Sequence, residues 1–217
     1  MKKGYTDINI ILDRSGSMCS VLHDTIGGFN AFLAEQKRAD GQASLTLTQF
    51  DNEYEVVYSG KDITEVADLD EETFVPRGMT ALYDAIGRTV NATGERLAAM
   101  DEADRPENVI IVIITDGGEN ASREFRGLDV MEKTKHQTET YNWDFVFLGA
   151  NQDAISVGAQ LGVLGGNSLT YASNAQGTHE AFSSISKSMT SYRSGDISMK
   201  SSFFADEDRA AQTKAGA

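Results

Sequence analysis

VIIVIITDGG, residues 109–118, sets the architecture. Six consecutive β-branched apolar residues, Val109 to Ile114, are too few for a helix and leave no polar face. A strand buried on both faces reads this way, and such strands sit in the middle of parallel sheets covered by helices. The run stops at Thr115-Asp116-Gly117-Gly118, which places a carboxylate just past the carboxyl end of the strand.

Working outward, Ile8 to Leu12 is a second short apolar strand, and it ends in Asp13-Arg14-Ser15-Gly16-Ser17. Leu22, Ile26, Phe29 and Leu33 then recur at helical spacing. Gly27 and Gly28 lower helix propensity there and imply close packing of that helix onto a sheet. Ser44 to Phe50 alternates as a strand, Tyr54 to Tyr58 follows as another, and Asp51-Asn52 suits a hairpin turn between them. Residues 61–77 are acidic and irregular. GMTALYDAIG, residues 78–87, opens a helix that runs to about Met100, and Asp101 to Pro106 is a polar loop. Beyond the central strand, the pattern predicts a charged helix over 123–140, a strand over Phe145–Leu148 and a short helix over Ala154–Leu161. A short strand over Leu169–Ala172 and an amphipathic helix marked by Phe182, Ile185, Met189 and Tyr192 complete it.

Strands alternating with helices, plus one early hairpin, predict a three-layer α/β/α sandwich: a mostly parallel sheet with one antiparallel edge strand. Residues 1–192 are expected to form one domain. From Arg193 the chain turns polar and Ser-rich, so 193–217 reads as a flexible tail in which Phe203-Phe204 would dock on its own domain.

Composition narrows the function. The chain has 217 residues, 40% of them hydrophobic, and a formal net charge of −14. That charge would repel a nucleic-acid backbone, and no basic cluster offsets it. Cys19 is the single cysteine, so an intrachain disulfide or a thiolate metal site is excluded. No apolar run reaches the length of a membrane span, and the start MKKGYTDINI is no signal peptide, so a cytoplasmic protein is expected. His23, His136 and His179 are not at metal-ligand spacing and read as surface or packing residues. The nucleophile elbow, the Walker A loop and the dinucleotide fingerprint are missing.

In sheets of this kind ligands bind beyond the carboxyl ends of the strands, where strand order reverses. If the strands ending at Asp13 and Asp116 are neighbours, both carboxylates reach one edge. Ser15 and Ser17 alternate with Asp13, so a curled loop can aim three side chains at one point. Thr80, before a helix, can bring a further hydroxyl. Two carboxylates and three hydroxyls suit Mg²⁺, Mn²⁺ or Ca²⁺ and not Zn²⁺. Such a set leaves a coordination position for an anionic oxygen from a partner. Arg14, Arg77, Glu119 and Asn120, with Asn151, Gln152 and Asp153 after the next strand, read as the rim of this face or as ordinary loop and cap residues.

Asp13-Arg14-Ser15-Gly16-Ser17 resembles the D-x-S-x-S signature of von Willebrand factor type A domains. Thr80 in GMTALYDAIG and Asp116 in IITDGGEN are similar to that family's separate threonine and aspartate, which complete its metal-ion-dependent adhesion site. The resemblance covers roughly residues 5–190. It implies a Rossmann-like fold and direct metal ligation by Ser15 and Ser17. Thr80 would ligate when the site is engaged, and Asp13 and Asp116 would hold coordinated waters. It further implies that the metal binds a Glu or Asp carboxylate of a protein partner without catalysing a reaction. Two other readings compete: a metal-dependent hydrolase or phosphotransferase, and a structural assembly protein whose metal only staples the fold.

Overall fold

The computed structural model describes residues 1–150 and 153–216, so Asn151 and Gln152 lie outside the described residues. Six strands form one sheet: β1 (Lys2–Asp13), β2 (Gln42–Phe50), β3 (Tyr54–Asp62), β4 (Pro106–Thr115), β5 (Asp144–Ala150) and β6 (Ser168–Tyr171). Their spatial order is β3-β2-β1-β4-β5-β6. All neighbours are parallel except β2 and β3, the hairpin that supplies the antiparallel edge. This is the α/β sandwich expected from the pattern, with β1 and β4 side by side at its centre.

The β4 run is apolar throughout because it faces two cores. Ile110, Val112 and Ile114 point into one, with Ile8, Ile10 and Leu12 of β1. That core is roofed by α1 (Leu22–Arg38) and α5 (Ala175–Arg193), through Phe29, Phe32, Phe182 and Met189. Val109, Ile111 and Ile113 point into the other, with Ile11 of β1. There α2 (Leu82–Ala98) contributes Leu82, Ile86 and Val90, and α3 (Gly127–Tyr141) contributes Val130. The short α4 (Ala154–Gln160) lies on the same side, through Ala154. Alternation of side chains along a strand makes this division automatic. No helix among the described residues is long and apolar enough to cross a membrane.

Several local expectations change. The first helix does not follow the DRSGS turn directly, since residues Gly16–Val21 form a 3₁₀ turn first. Gly28 does not pack on the sheet: a Cβ there would stand 2.3 Å from the Phe182 ring, so the close approach is between α1 and α5. Gly27 has open space around it. The charged helix begins at Gly127 and not at residue 123, because 123–125 bend around Asp84, whose carboxylate takes all three of their N–H groups.

The segment after Arg193 is the largest difference. It continues as a 3₁₀ turn, Ile197–Lys200, and a further helix, α6 (Asp206–Ala215). Phe203 and Phe204 are 1% and 2% exposed and join the α1/α5 core. Phe204 N–H donates to Gly166 O (3.0 Å) and Phe203 N–H to Asn167 Oδ1 (3.1 Å). The Arg209 guanidinium donates to Ser168 O and Gly165 O, and Gln212 Oε1 accepts Ala172 N–H. The polar composition of the segment reflects one wet face and side-chain bonds to the β6 backbone, not a lack of structure.

Candidate metal centre

Asp13 ends β1, and its neighbour β4 ends at Thr115; Leu12 pairs with Ile114, which sets Asp13 beside Thr115. Thr115 Oγ1 donates to Asp13 Oδ2 at 2.6 Å, and Ser15 N–H donates to Asp13 Oδ1 at 2.6 Å. The chain then curls, so that Ser15 Oγ lies 3.1 Å from Ser17 Oγ. Ser17 Oγ in turn donates to Asp116 Oδ1 at 2.6 Å. Thr80 arrives from the loop before α2. A Cβ added at Gly117 would be 3.0 Å from Thr80 Oγ1 and 3.8 Å from Ser17 Oγ, so that glycine leaves the space these two hydroxyls occupy. The five side chains singled out in the sequence thus come from three distant segments to one edge of the sheet, at the β1/β4 switch point. Thr115 was not singled out there. Its signal was available only once β1 and β4 were taken as neighbours in this register.

The loops are laced together. Thr80 N–H donates to Asn120 Oδ1, and Thr80 O accepts Asn120 N–H and Ala121 N–H. Glu119 accepts N–H bonds from Tyr83, Ala121 and Ser122. Asp84 accepts those of Arg123, Glu124 and Phe125. Glu119 and Asn120 therefore bind the Asp116 loop to the start of α2, instead of simply rimming the face. On the other side, Gly16 N–H donates to Gly78 O, Arg77 N–H to Arg14 O and Ala81 N–H to Asp51 O. Gly78 has φ +70°, and a Cβ there would collide with Asn52 Oδ1.

Arg14, read from sequence as a rim residue, is buried. It pairs with Asp51 at 3.3 Å and with Glu55, and Arg77 joins the same Asp51 at 2.8 Å. These ion pairs bridge the DRSGS loop, the β2–β3 turn and the Thr80 loop. Asp153 caps α4 by accepting Ser156 N–H.

Burial pushes the Asp13 carboxyl up to about 6, against the hydrogen bonds from Thr115 and Ser15 and with a further push from the charge of Asp116. Burial likewise raises Asp116, opposed by the Ser17 hydrogen bond. The buried Tyr171 hydroxyl is raised first by burial and then by the charges of Asp116 and Asp13. Two desolvated carboxylates therefore share an acceptor-rich edge where no ammonium or guanidinium bonds to either. A divalent cation fits that donor set: it would favour both ionised carboxylates and accept lone pairs from the three hydroxyls. No group of three or more His, Cys, Asp or Glu exists among the described residues, so hydroxyls must complete any such shell.

A doubly covered parallel sheet, an antiparallel edge hairpin and an oxygen cluster at the β1/β4 switch point define a von Willebrand factor type A fold. Solved structures agree. Proximal thread matrix protein 1 of the mussel byssus, solved with a zinc-occupied MIDAS motif, is 12% identical over 82% of this chain and 46% of its own, with a TM-score of 0.59. The ArnB paralog VWA2 of Sulfolobus acidocaldarius is 16% identical over 87% of this chain and 45% of its own (TM-score 0.53). The vWF domain of the type V pili tip protein Mfa5 of Porphyromonas gingivalis is 9% identical over 85% of this chain and 94% of its own (TM-score 0.57). This chain spans less than half the length of the first two. No family model and no curated protein matches the sequence.

Proposed function

We propose that Asp13, Ser15, Ser17, Thr80 and Asp116 bind one divalent cation of the Mg²⁺, Mn²⁺ or Ca²⁺ class, and that the cation binds a Glu or Asp carboxylate of a protein partner. The protein acts as a metal-dependent adhesion or scaffold module and not as an enzyme. The observation that carries this reading is the unbroken chain of oxygens Ser15 Oγ, Ser17 Oγ and Asp116 Oδ1, at 3.1 and 2.6 Å, with Thr80 Oγ1 beside it. Ser15 and Ser17 would supply neutral direct ligands, and Asp13 and Asp116 the charge. A cation held partly by hydroxyls keeps enough charge to attract an external carboxylate. The zinc-occupied MIDAS motif of proximal thread matrix protein 1 supports a divalent cation in such a site, while the choice of the Mg²⁺, Mn²⁺ or Ca²⁺ class rests on the oxygen donors alone. In keeping with its single cysteine, the protein is proposed to work in the cytoplasm.

Calorimetric titration with Mn²⁺ tests the metal. The wild type should bind one ion and Asp116→Ala should bind none, with unchanged circular dichroism. Acetate added to the Mn²⁺-loaded protein should then lower water-proton relaxivity by displacing a coordinated water. Equal Mn²⁺ binding by Asp116→Ala would sink the site. Tight Mn²⁺ binding with no response to carboxylates would make the ion a fold staple.

A further inference from the structure

The opposite end of the sheet carries a cleft of about 490 Å³. That volume lies within the range of small-molecule sites, roughly 300–1,000 Å³. It opens between the last turns of α2 and α3, beside the amino-terminal ends of β4 and β5. Leu97, Val109 and Trp143 give it an apolar wall, each less than a tenth exposed. Tyr141, which also lines it, is 59% exposed.

Two further observations specify what would fit. Gln137 Oε1, on α3, is buried and has no hydrogen-bond partner among the described residues. A buried amide oxygen is costly to leave unpaired, and an N–H donor from a ligand would satisfy it. The charges point the same way. Glu95, Glu102 and Glu107 line the cleft, and Glu95 and Glu102 form no ion pair among the described residues. Two cations line it as well: Arg105, whose guanidinium donates to the backbone carbonyls of Met100 (3.2 Å) and Ala98 (3.1 Å) and keeps its charge, and the Met1 amino group, so the carboxylates outnumber the cations by one.

We propose that this cleft binds a small organic cation: an ammonium or guanidinium joined to an apolar or aromatic body. The cationic N–H groups pair with the Glu95 and Glu102 carboxylates, a turn of the Gln137 amide presents its Oε1 to them, and the body covers Leu97, Val109 and Trp143. An anion meets three glutamates against two cations, Arg105 and the Met1 amino group, and a neutral analogue of the same shape loses the charge-assisted bonds. The aromatic rings of Trp143 and Tyr141 add attraction for a cation near their faces. This site is independent of the metal centre, which lies at the carboxyl ends of the strands.

Trp143 is the only tryptophan of the chain, so its fluorescence reports on the cleft alone. The full chain is titrated with 2-phenylethylamine, 2-phenylethanol and phenylacetate, three molecules of one shape and different charge. The amine should shift Trp143 emission saturably and bind about tenfold more tightly than the alcohol, the size expected of a hydrogen bond to a charged donor, while phenylacetate has no effect. Gln137→Leu and the double variant Glu95→Gln/Glu102→Gln should each reduce the preference for the amine over the alcohol. The glutamates are exposed, so the double variant carries the test if Gln137→Leu does not fold. Equal binding of all three compounds, no response to any at millimolar concentration, or an undiminished preference in the double variant would overturn the proposal.

Discussion

Asp13 holds the opposing demands of the site in one carboxyl group. Its pKa rises from 3.8 to about 6 on folding, so between those values the native metal-free chain keeps a proton that the unfolded chain has lost. The native state then binds more protons, and stability falls as pH rises through that window. The full penalty above pH 6 is about 3 kcal/mol, from roughly two pKa units at 1.36 kcal/mol each. Urea denaturation in EDTA at pH 4.5 and 7 should show about 2 kcal/mol of it, a third having accrued by pH 4.5, as the difference between wild type and Asp13→Asn, which cannot titrate. An identical pH dependence in both proteins would refute it. Thr115→Val removes the 2.6 Å donor to Asp13 Oδ2 and should deepen the neutral-pH deficit by about 1–3 kcal/mol. At this scale the site was legible wherever chemistry and place coincide, as with Asp13, Ser15, Ser17 and Asp116, which stand where apolar runs stop. Arg14 was not legible. A charged loop residue reads as solvated, and only the pairing of Asp13 with Phe50 brings Asp51 and Glu55 within its reach.

The elements were read correctly where periodicity was strong and less well where contacts decide. β4 announced itself by six apolar residues with no polar face, while β1 and β3 run several residues beyond their apolar cores because backbone pairing is joined there by side-chain bonds, Glu107 accepting Gly4 N–H and Thr46 Oγ1 accepting Gly60 N–H. The twin glycines of α1 illustrate the rest, since identical neighbours in sequence have opposite surroundings. A Cβ at Gly28 would enter the Phe182 ring, whereas one at Gly27 would meet nothing within 4 Å. Gly28→Ala must force α1 and α5 apart and should cost about 1–3 kcal/mol, the usual penalty of overpacking. Gly27→Ala keeps the packing and removes unfolded-state freedom, so it should stabilise by about 0.5–1 kcal/mol. Denaturation midpoints of the two variants check the pair, and a shared sign would show that α1 packs otherwise. Helix propensity alone predicts stabilisation at both positions, so the contrast isolates the contact between the two helices.

Across the whole molecule, the parallel sheet separates scaffold from site. All strands but β3 run the same way, so their carboxyl ends share the edge that holds Asp13, Thr80 and Asp116, and their amino ends share the opposite one. The segment after Arg193 spans both: Phe203 and Phe204 sit at the amino end of β6, and α6 runs on to its carboxyl end, where Gln212 Oε1 accepts Ala172 N–H and Asn174 Nδ2 donates to Ala215 O. Phe203 and Phe204 bond to Asn167 and Gly166, just before β6 begins, and a Cβ at Gly166 would collide with Ser201 O. The docking of the two rings was legible in the sequence, but the 3₁₀ turn and α6 around them were not, because a serine-rich, polar stretch carries no period that marks an element. The burial of Phe203 and Phe204 gives them a large share of stability. Phe→Ala at a fully buried position costs about 3–5 kcal/mol, against a typical total of about 5–15 kcal/mol for a domain. Phe204→Ala should therefore lower the urea midpoint steeply, and Phe203→Ala/Phe204→Ala should approach unfolding at room temperature. Mn²⁺ affinity of Phe204→Ala, measured where the protein is still folded, should equal that of the wild type. Phe203 and Phe204 bond at the amino end of β6 and the five oxygens lie at the carboxyl edge of the sheet, so a loss of metal affinity in step with stability would mean that the C-terminal strap helps shape the site from across the sheet.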